Sequence, residues 1–173
     1  MTATDVPNLP HKIAVLCYLY DARDRLLLIH RLKDPNRGMY SPIGGKLETG
    51  LGESPHDCAV REVEEEAGLT LSTDDMHLTG IVAETAYEGE THWLIFCFEV
   101  TRTIDPAEIA EMQIDEGTLE WVPVHDVASH DIPDTDRRIM WPLMQRHRGG
   151  GFFSVHIDCT GEEMTWDVQE ERA

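Results

Sequence analysis

The segment REVEEEAGL, residues 61–69, places Glu62, Glu64, Glu65 and Glu66 within five consecutive positions. Like charges three or four apart on a helix repel by a few tenths of a kcal/mol per pair, so the crowding needs a reason. At about 100° per residue, Glu62, Glu65 and Glu66 fall within an arc of roughly 100°, and Glu64 points away from them. Ala59, Val63 and Ala67 mark a different stripe, the one that must face a core. Three carboxylates projecting from the edge of a buried face suit a hard divalent cation, Mg²⁺ or Mn²⁺, which neutralises their repulsion. Arg61 stands four residues before Glu65 and can pair with it or reach back to Glu53. Taken alone, the run also reads as a solvated acidic face.

The rest of the composition narrows the partners. The 173-residue chain carries a formal charge of −19, which argues against long nucleic acids and anionic membranes, both bound through basic surface. The few cations are unevenly placed. Arg31, Lys33, Arg37 and Lys46 precede the acidic helix, and Arg137, Arg138, Arg146 and Arg148 come late. A local basic patch beside carboxylates suits a phosphate ligand bridged by metal. Cys17, Cys58, Cys97 and Cys159 are far apart, as expected of free thiols in a reducing cytoplasm. MTATDVPNLP lacks the basic start and apolar run of a secretory signal, and no segment reaches the length of a membrane span. A cytoplasmic protein is expected.

The elements that must position these residues are legible in outline. KIAVLCYLYD (12–21) and RLLLIHRL (25–32) read as a β-hairpin turning at Ala22-Arg23-Asp24. PNRGMYSPIGGKLETGLGE (35–53), rich in Gly and Pro, reads as irregular. Ser54 as N-cap and Pro55 at the first helical position start a helix that runs to about Ala67 and stops at Gly68. Residues 78–89 and 92–100 read as strands, 108–118 as an acidic connection, and 119–124 as a short strand. A second helix runs from Pro133 to about Arg148, with Pro142 demanding a kink or early break. In the tail, Phe153, Val155, Ile157 and Cys159 alternate, then Met164, Trp166 and Val168, as in a hairpin. One domain over 1–173 is expected, with a core over about 11–148 and a hairpin extension over 149–173.

The stretch GGKLETGLGESPHDCAVREVEEEAGL (44–69) resembles the signature of the Nudix hydrolases, the MutT-like phosphohydrolases. Glu53, seven residues, then Arg61, Glu62, Val63, Glu64, Glu65, Glu66, Ala67, Gly68 and Leu69 match the box without a gap. Between Gly45 and Glu53 lie two residues more than the box has, and Leu47 takes the expected glycine position. The resemblance implies an α/β fold, an α/β/α sandwich around a mixed sheet, with the C-terminal hairpin extending that sheet or making a homodimer contact. It implies that Glu62, Glu65 and Glu66 bind metal, that Glu53 joins or orients that cluster, and that Arg61 holds the carboxylates. Gly44, Gly45 and Lys46 match the loop that approaches substrate, with Arg31 and Arg37 close in sequence. Members also recruit an acid from outside the box as general base; Glu108, Glu111, Asp115 and Glu116 are available and Glu116 is preferred, with Glu53 of the box as the alternative proton acceptor. Asp136, opening the late helix, is the candidate for contacting the base.

The activity implied is Mg²⁺- or Mn²⁺-dependent hydrolysis of a nucleoside diphosphate-linked substrate. A nucleoside triphosphate is the first reading, including an oxidised one such as 8-oxo-dGTP, cut to monophosphate and pyrophosphate. ADP-sugars and dinucleoside polyphosphates are alternatives. A nucleotide-sensing module without catalysis is the reading from another class.

Overall fold

The computed structural model describes residues 6–173. Nine strands follow one another along the chain: β1 (His11–Tyr18), β2 (Arg25–Arg31), β3 (Tyr40–Lys46), β4 (Met76–Tyr87), β5 (Thr91–Val100), β6 (Gln113–Ile114), β7 (Gly117–Pro123), β8 (Phe152–Asp158) and β9 (Thr165–Arg172). Helix α1 (Pro55–Ala67) lies between β3 and β4, and α2 (Trp141–His147) precedes β8. The sheet order is β6-β7-β2-β3-β1-β5-β4-β8-β9. The β1–β5 and β4–β8 pairs are parallel, and the remaining ladders are antiparallel. Cys58, Ala59 and Val63 of α1 cover one face with Val15, Ile43 and Phe98. Leu143 and Met144 of α2 cover the other with Leu28, Val82 and Phe153. The mixed sheet between helical layers is the expected α/β/α sandwich.

Helix α1 begins and ends where its local chemistry dictates. The Ser54 side chain accepts from the Asp57 N–H, Pro55 occupies the first turn, and Gly68 takes φ 67° as the left-handed terminator. Its buried side chains include Cys58, Ala59, Val63 and Ala67, the stripe read from spacing, together with Glu62 and Glu66.

Strand pairing departs from the sequence reading in three places. First, β1 and β2 form no ladder together. The Tyr20–Leu26 bridge and the backbone hydrogen bonds beside it close the turn, after which the strands splay and β3 enters between them. Second, residues 40–46, expected to be irregular, are that inserted strand. β3 pairs with β2 through His30–Tyr40, Ile29–Ser41 and Leu28–Pro42, then with β1 from Cys17–Ile43 to Ala14–Lys46. The change of partner falls at Pro42, which has no N–H to give a ladder. Third, the acidic connection folds back at its end as β6, paired with the start of β7 through Ile114–Gly117.

The late helix bears out the warning given by Pro142. Residues Asp136–Met140 form a π turn, with the Trp141 N–H donating to the Asp136 carbonyl, and α2 continues from there. A proline ring collides with the carbonyl four residues back, and widening the preceding turn relieves that collision. The tail hairpin joins the sheet by parallel pairing of β8 with β4, burying Phe153, Val155 and Ile157. No helix among the described residues is long and apolar enough to cross a membrane.

The β1–β2 turn hangs on Asp21, which is 4% exposed. Its carboxylate accepts from the backbone N–H groups of Arg23 and Arg25, both at 2.9 Å, and from Arg25 Nε at 2.7 Å. Burial alone would raise the Asp21 pKa, but these donors and the Arg25 charge hold it below the usual carboxylate value. A lowered folded pKa gives stability that is present above the unfolded value, about 3.9, and lost as pH falls through the folded value. Asp21→Ala is therefore expected to lower the unfolding free energy by about 2 kcal/mol at pH 7. Urea melts at pH 7 and pH 3 check this: the gap between parent and variant narrows in acid.

Candidate active site

The C-terminal half of β3 and the middle of α1 lie against each other, and two glycines set how closely. The Gly44 N–H donates to Glu66 Oε2 at 3.0 Å. A Cβ on Gly44 would lie 2.1 Å from the Val15 carbonyl oxygen, and one on Gly45 would lie within 2.4–2.7 Å of the Glu62 carboxylate. Any side chain here would collide with the neighbouring strand or push the helix carboxylate away.

Arg61 ties the acidic groups together. Its Nε donates to Glu53 Oε1 at 2.7 Å and its Nη2 to Glu53 Oε2 at 3.0 Å. Nη1 reaches Glu62 Oε1 at 2.8 Å and Glu65 Oε2 at 3.3 Å, and Nη2 also donates to the Lys46 carbonyl at 3.2 Å. Glu53 has its second oxygen bound by the Glu48 N–H as well, at 2.8 Å. The extra loop residues before Glu53 include a short 3₁₀ turn over Thr49–Leu51, which leaves the Arg61–Glu53 pair intact.

The electrostatics divide the carboxylates into two kinds. Hydrogen bonds from Arg61 pull the Glu53 pKa down to about 2. Burial pushes Glu66 up to about 8; the neighbouring Glu62 and Glu116 charges add to that rise, while the Gly44 N–H and Arg31 oppose it. Burial likewise raises Glu62, against its hydrogen bond from Arg61. Two carboxylates held at 8% exposure with incomplete compensation favour a cation or a proton.

A cleft of about 970 Å³ gathers most of the residues singled out from sequence: Gly44, Gly45, Lys46, Arg31, Glu62, Glu65, Glu66, Glu116 and Asp136 all line it. Glu116 comes from the β6–β7 turn and pairs with Lys33 at 3.4 Å and Arg31 at 3.8 Å. Glu111 and Asp115 line the cleft too, whereas Glu108 pairs with Arg102. Glu53 and Arg61 stand behind the lining. Arg37 faces an adjoining recess of about 540 Å³, shared with Lys12 and Lys46. Glu64 is exposed, its carboxylate 3.5 Å from the Thr70 hydroxyl.

Sequence reasoning missed Glu84, Trp93 and Ser41, which line the same cleft. Glu84 could have been found: in IVAETAY it follows Val82 at the strand period, so an acid occupies an inward position. Ser41 was hidden by the reading of its segment as a loop. Its hydroxyl is buried without a partner among the described residues.

Among the described residues no three acidic, histidine or cysteine side chains converge as a finished metal cage; Arg61 holds Glu62 and Glu65 instead. The chemistry of the donors nonetheless fits a hard divalent cation. They are carboxylate oxygens, two of them buried, and Gly45 leaves the Glu62 carboxylate its room.

Known proteins resemble this one in architecture and, over part of the chain, in sequence. The NUDIX domain profile matches residues 10–144. An uncharacterized Nudix hydrolase, YvcI, from Bacillus subtilis is 29% identical over 125 residues, 70% of this chain and 73% of that protein. A putative 8-oxo-dGTP diphosphatase 3 from Mycobacterium tuberculosis is 31% identical over 116 residues, which cover 65% of this chain but only half of that protein. Among solved structures, a MutT protein from Bacillus halodurans superposes with a TM-score of 0.71 at 24% identity, covering 91% of this chain and 97% of that one.

The two glycines differ in what opposes a side chain, and this is testable. Gly44→Ala meets rigid backbone, so it is expected to cost about 1–3 kcal/mol. Gly45→Ala meets the end of a flexible side chain and displaces Glu62 at smaller cost. Urea denaturation of both variants checks the order.

Proposed function

The chain belongs to the Nudix hydrolase family, and on that footing we propose that it hydrolyses a nucleoside triphosphate to monophosphate and pyrophosphate in the presence of Mg²⁺ or Mn²⁺. The observation that carries this reading is the meeting of Glu62, Glu65 and Glu66 with Gly44, Gly45 and Lys46 in one cleft. Glu62, Glu65 and Glu66 would hold the divalent cation, with Glu53 orienting them through Arg61. The cation, when bound, polarises phosphoryl oxygens and offsets their charge.

The chain's own groups do the remainder. Gly44 fixes Glu66 through its N–H, so the carboxylate is oriented before substrate arrives. Lys46 and Arg31 face the cleft and neutralise phosphate charge that builds up during the reaction. Glu116, held beside Arg31 and Lys33, takes the proton of the attacking water. Arg37, in the adjoining recess, contacts an extended substrate only at its outer end. Asp136 lies in the same cleft and is assigned to the base. The M. tuberculosis relative's name keeps oxidised deoxyguanosine triphosphate in the substrate panel, beside ordinary nucleotides, ADP-sugars and dinucleoside polyphosphates. A sensing role without catalysis is less well supported, because Glu62, Glu65 and Glu66 are all retained. The nucleotide pool of a cytoplasm is the setting this activity requires.

Three outcomes are expected in a pyrophosphate-release assay. Activity disappears with a chelator and returns with Mg²⁺ or Mn²⁺; undiminished turnover in the chelated sample would refute the metal role. Glu65→Gln and Glu66→Gln each lose about 100-fold or more, fold as well as the parent without metal, and gain less melting temperature from Mg²⁺, while Glu64→Gln stays active. Glu116→Gln lowers kcat by about 10²–10⁴ with little change in KM, and equal turnover would move the general base elsewhere.

A further inference from the structure

The tip of the β4–β5 hairpin carries an irregularity on which one wall of the cleft depends. Glu84 of β4 pairs with Trp93 of β5, and Tyr87 pairs with Thr91. Two residues of β4, Thr85 and Ala86, therefore face one residue of β5, His92, which makes a β-bulge. Residues three apart on an unbroken strand point to opposite faces. Here Glu84 and Tyr87 both line the cleft, because the extra residue reverses the alternation and turns Tyr87 inward.

The bulge strains the chain and leaves an amide over, and one side chain answers for both. Ala86 takes φ 54°, a left-handed conformation that a residue with a Cβ resists. It is also 2% exposed, and a buried N–H that a bulge takes out of the ladder needs another acceptor. His92 is that acceptor: the Ala86 N–H donates to its Nδ1 at 3.0 Å. A neutral ring that accepts at Nδ1 carries its proton on Nε2, and Nε2 lies 3.0 Å from the Pro7 carbonyl. The imidazole is thus fixed at both nitrogens across the bulge.

Tyr87 passes this constraint to the other side of the cleft. Its hydroxyl donates to Asn36 Oδ1 at 2.9 Å. Asn36 is left-handed too, at φ 62°, and belongs to the segment between β2 and β3 that carries Asp34, Pro35 and Arg37. Asp34, Asn36 and Tyr87 line both the cleft and the adjoining recess, so the Tyr87–Asn36 bond lies where the two meet. His92 itself lines neither. Resting on the reading of the cleft as a nucleotide site, we propose that His92 is a positioning residue for substrate. It holds the bulge, the bulge aims Tyr87, and Tyr87 fixes the 34–37 segment at the edge of the cleft. Without the His92 acceptor the Ala86 amide is orphaned, the left-handed turn relaxes, and Tyr87 leaves the wall.

The test compares His92→Leu, His92→Asn and Tyr87→Phe with the parent. It measures turnover of dGTP and dATP with Mg²⁺, calorimetric binding of their α,β-methylene analogues, and amide hydrogen exchange. Leucine fills the space without an acceptor, whereas asparagine places Oδ1 close to where Nδ1 stood. His92→Leu is expected to raise KM and the analogue Kd about 5- to 10-fold, with kcat within about twofold of the parent. Tyr87→Phe keeps the ring, loses only the bond to Asn36, and moves KM in the same direction. His92→Asn restores KM, and its Ala86 amide stays protected from exchange as in the parent, while that of His92→Leu does not. An unchanged KM in His92→Leu overturns the proposal, as does an equal fall in kcat and kcat/KM, or a His92→Asn variant no better than His92→Leu. Tyr87→Phe carries the test if His92→Leu does not fold, and an unchanged KM there overturns the proposal as well. Turnover by the parent with the same KM in every variant keeps the activity and overturns this inference. Weaker analogue binding by His92→Leu, with no turnover by the parent, supports the inference and overturns the activity. No nucleotide binding by the parent overturns both.

Discussion

Helix α1 can bring carboxylates to the cleft only because β3 carries no side chains where they arrive. Gly44 and Gly45 let backbone and helix approach until an amide hydrogen meets Glu66 and the Glu62 carboxylate lies against bare backbone. Such proximity buries negative charge, and burial is costly unless something answers it. Arg61 answers part of it with a planar fork that serves Glu53, Glu62 and Glu65 at once, a geometry that lysine cannot reproduce. Glu66 is left with one backbone donor and a carboxyl group that holds its proton far above the normal range. The same close approach thus leaves Glu62 partly compensated by Arg61 and Glu66 still less so.

The cleft is polarised along its length. Arg31, Lys33 and Lys46 gather around the Glu116 and β3 end, although the chain as a whole carries −19. No cation acts on Glu84 at the other end. The two ends of the cleft therefore differ in charge, basic near Glu116 and acidic around Glu84 and Asp136. In a chain this acidic, long-range attraction contributes little to capture of an anion, so binding depends on these few local charges.

What the sequence disclosed, and what it concealed, follows from the range of the interactions. The boundaries of α1 were legible because Ser54, Pro55 and Gly68 act within one turn of themselves. The carboxylate face was legible because helical geometry fixes the angles between Glu62, Glu65 and Glu66. β3 was not, because Pro42, Gly44 and Gly45 carry turn chemistry, and only the neighbouring β1 and α1 explain why a strand needs them. The β1–β2 hairpin was half right: Asp21 makes the turn, but insertion of a third strand is a long-range event with no local mark. Glu84 did leave a mark, an acid at an inward strand position, but that mark acquires meaning only once Asp136, more than fifty residues later, is seen to share its cleft.

The parallel pairing of β1 with β5, His11 opposite His92 through to Tyr18 opposite Glu99, sets the order in which the molecule can be made. During synthesis β1 leaves the ribosome long before its partner exists, and contacts so distant along the chain are slow to form. Helix α1 lies between the two and has all its start and stop signals at hand. The start and stop signals of the helix are local, whereas the face that receives it is complete only once β5 supplies Phe98. β1 meanwhile has only β3 for company, and β3 is divided between two neighbours at Pro42. The cleft is therefore complete only once the β4–β5 hairpin adds Glu84 and Trp93 to the lining that Gly44 and Gly45 begin.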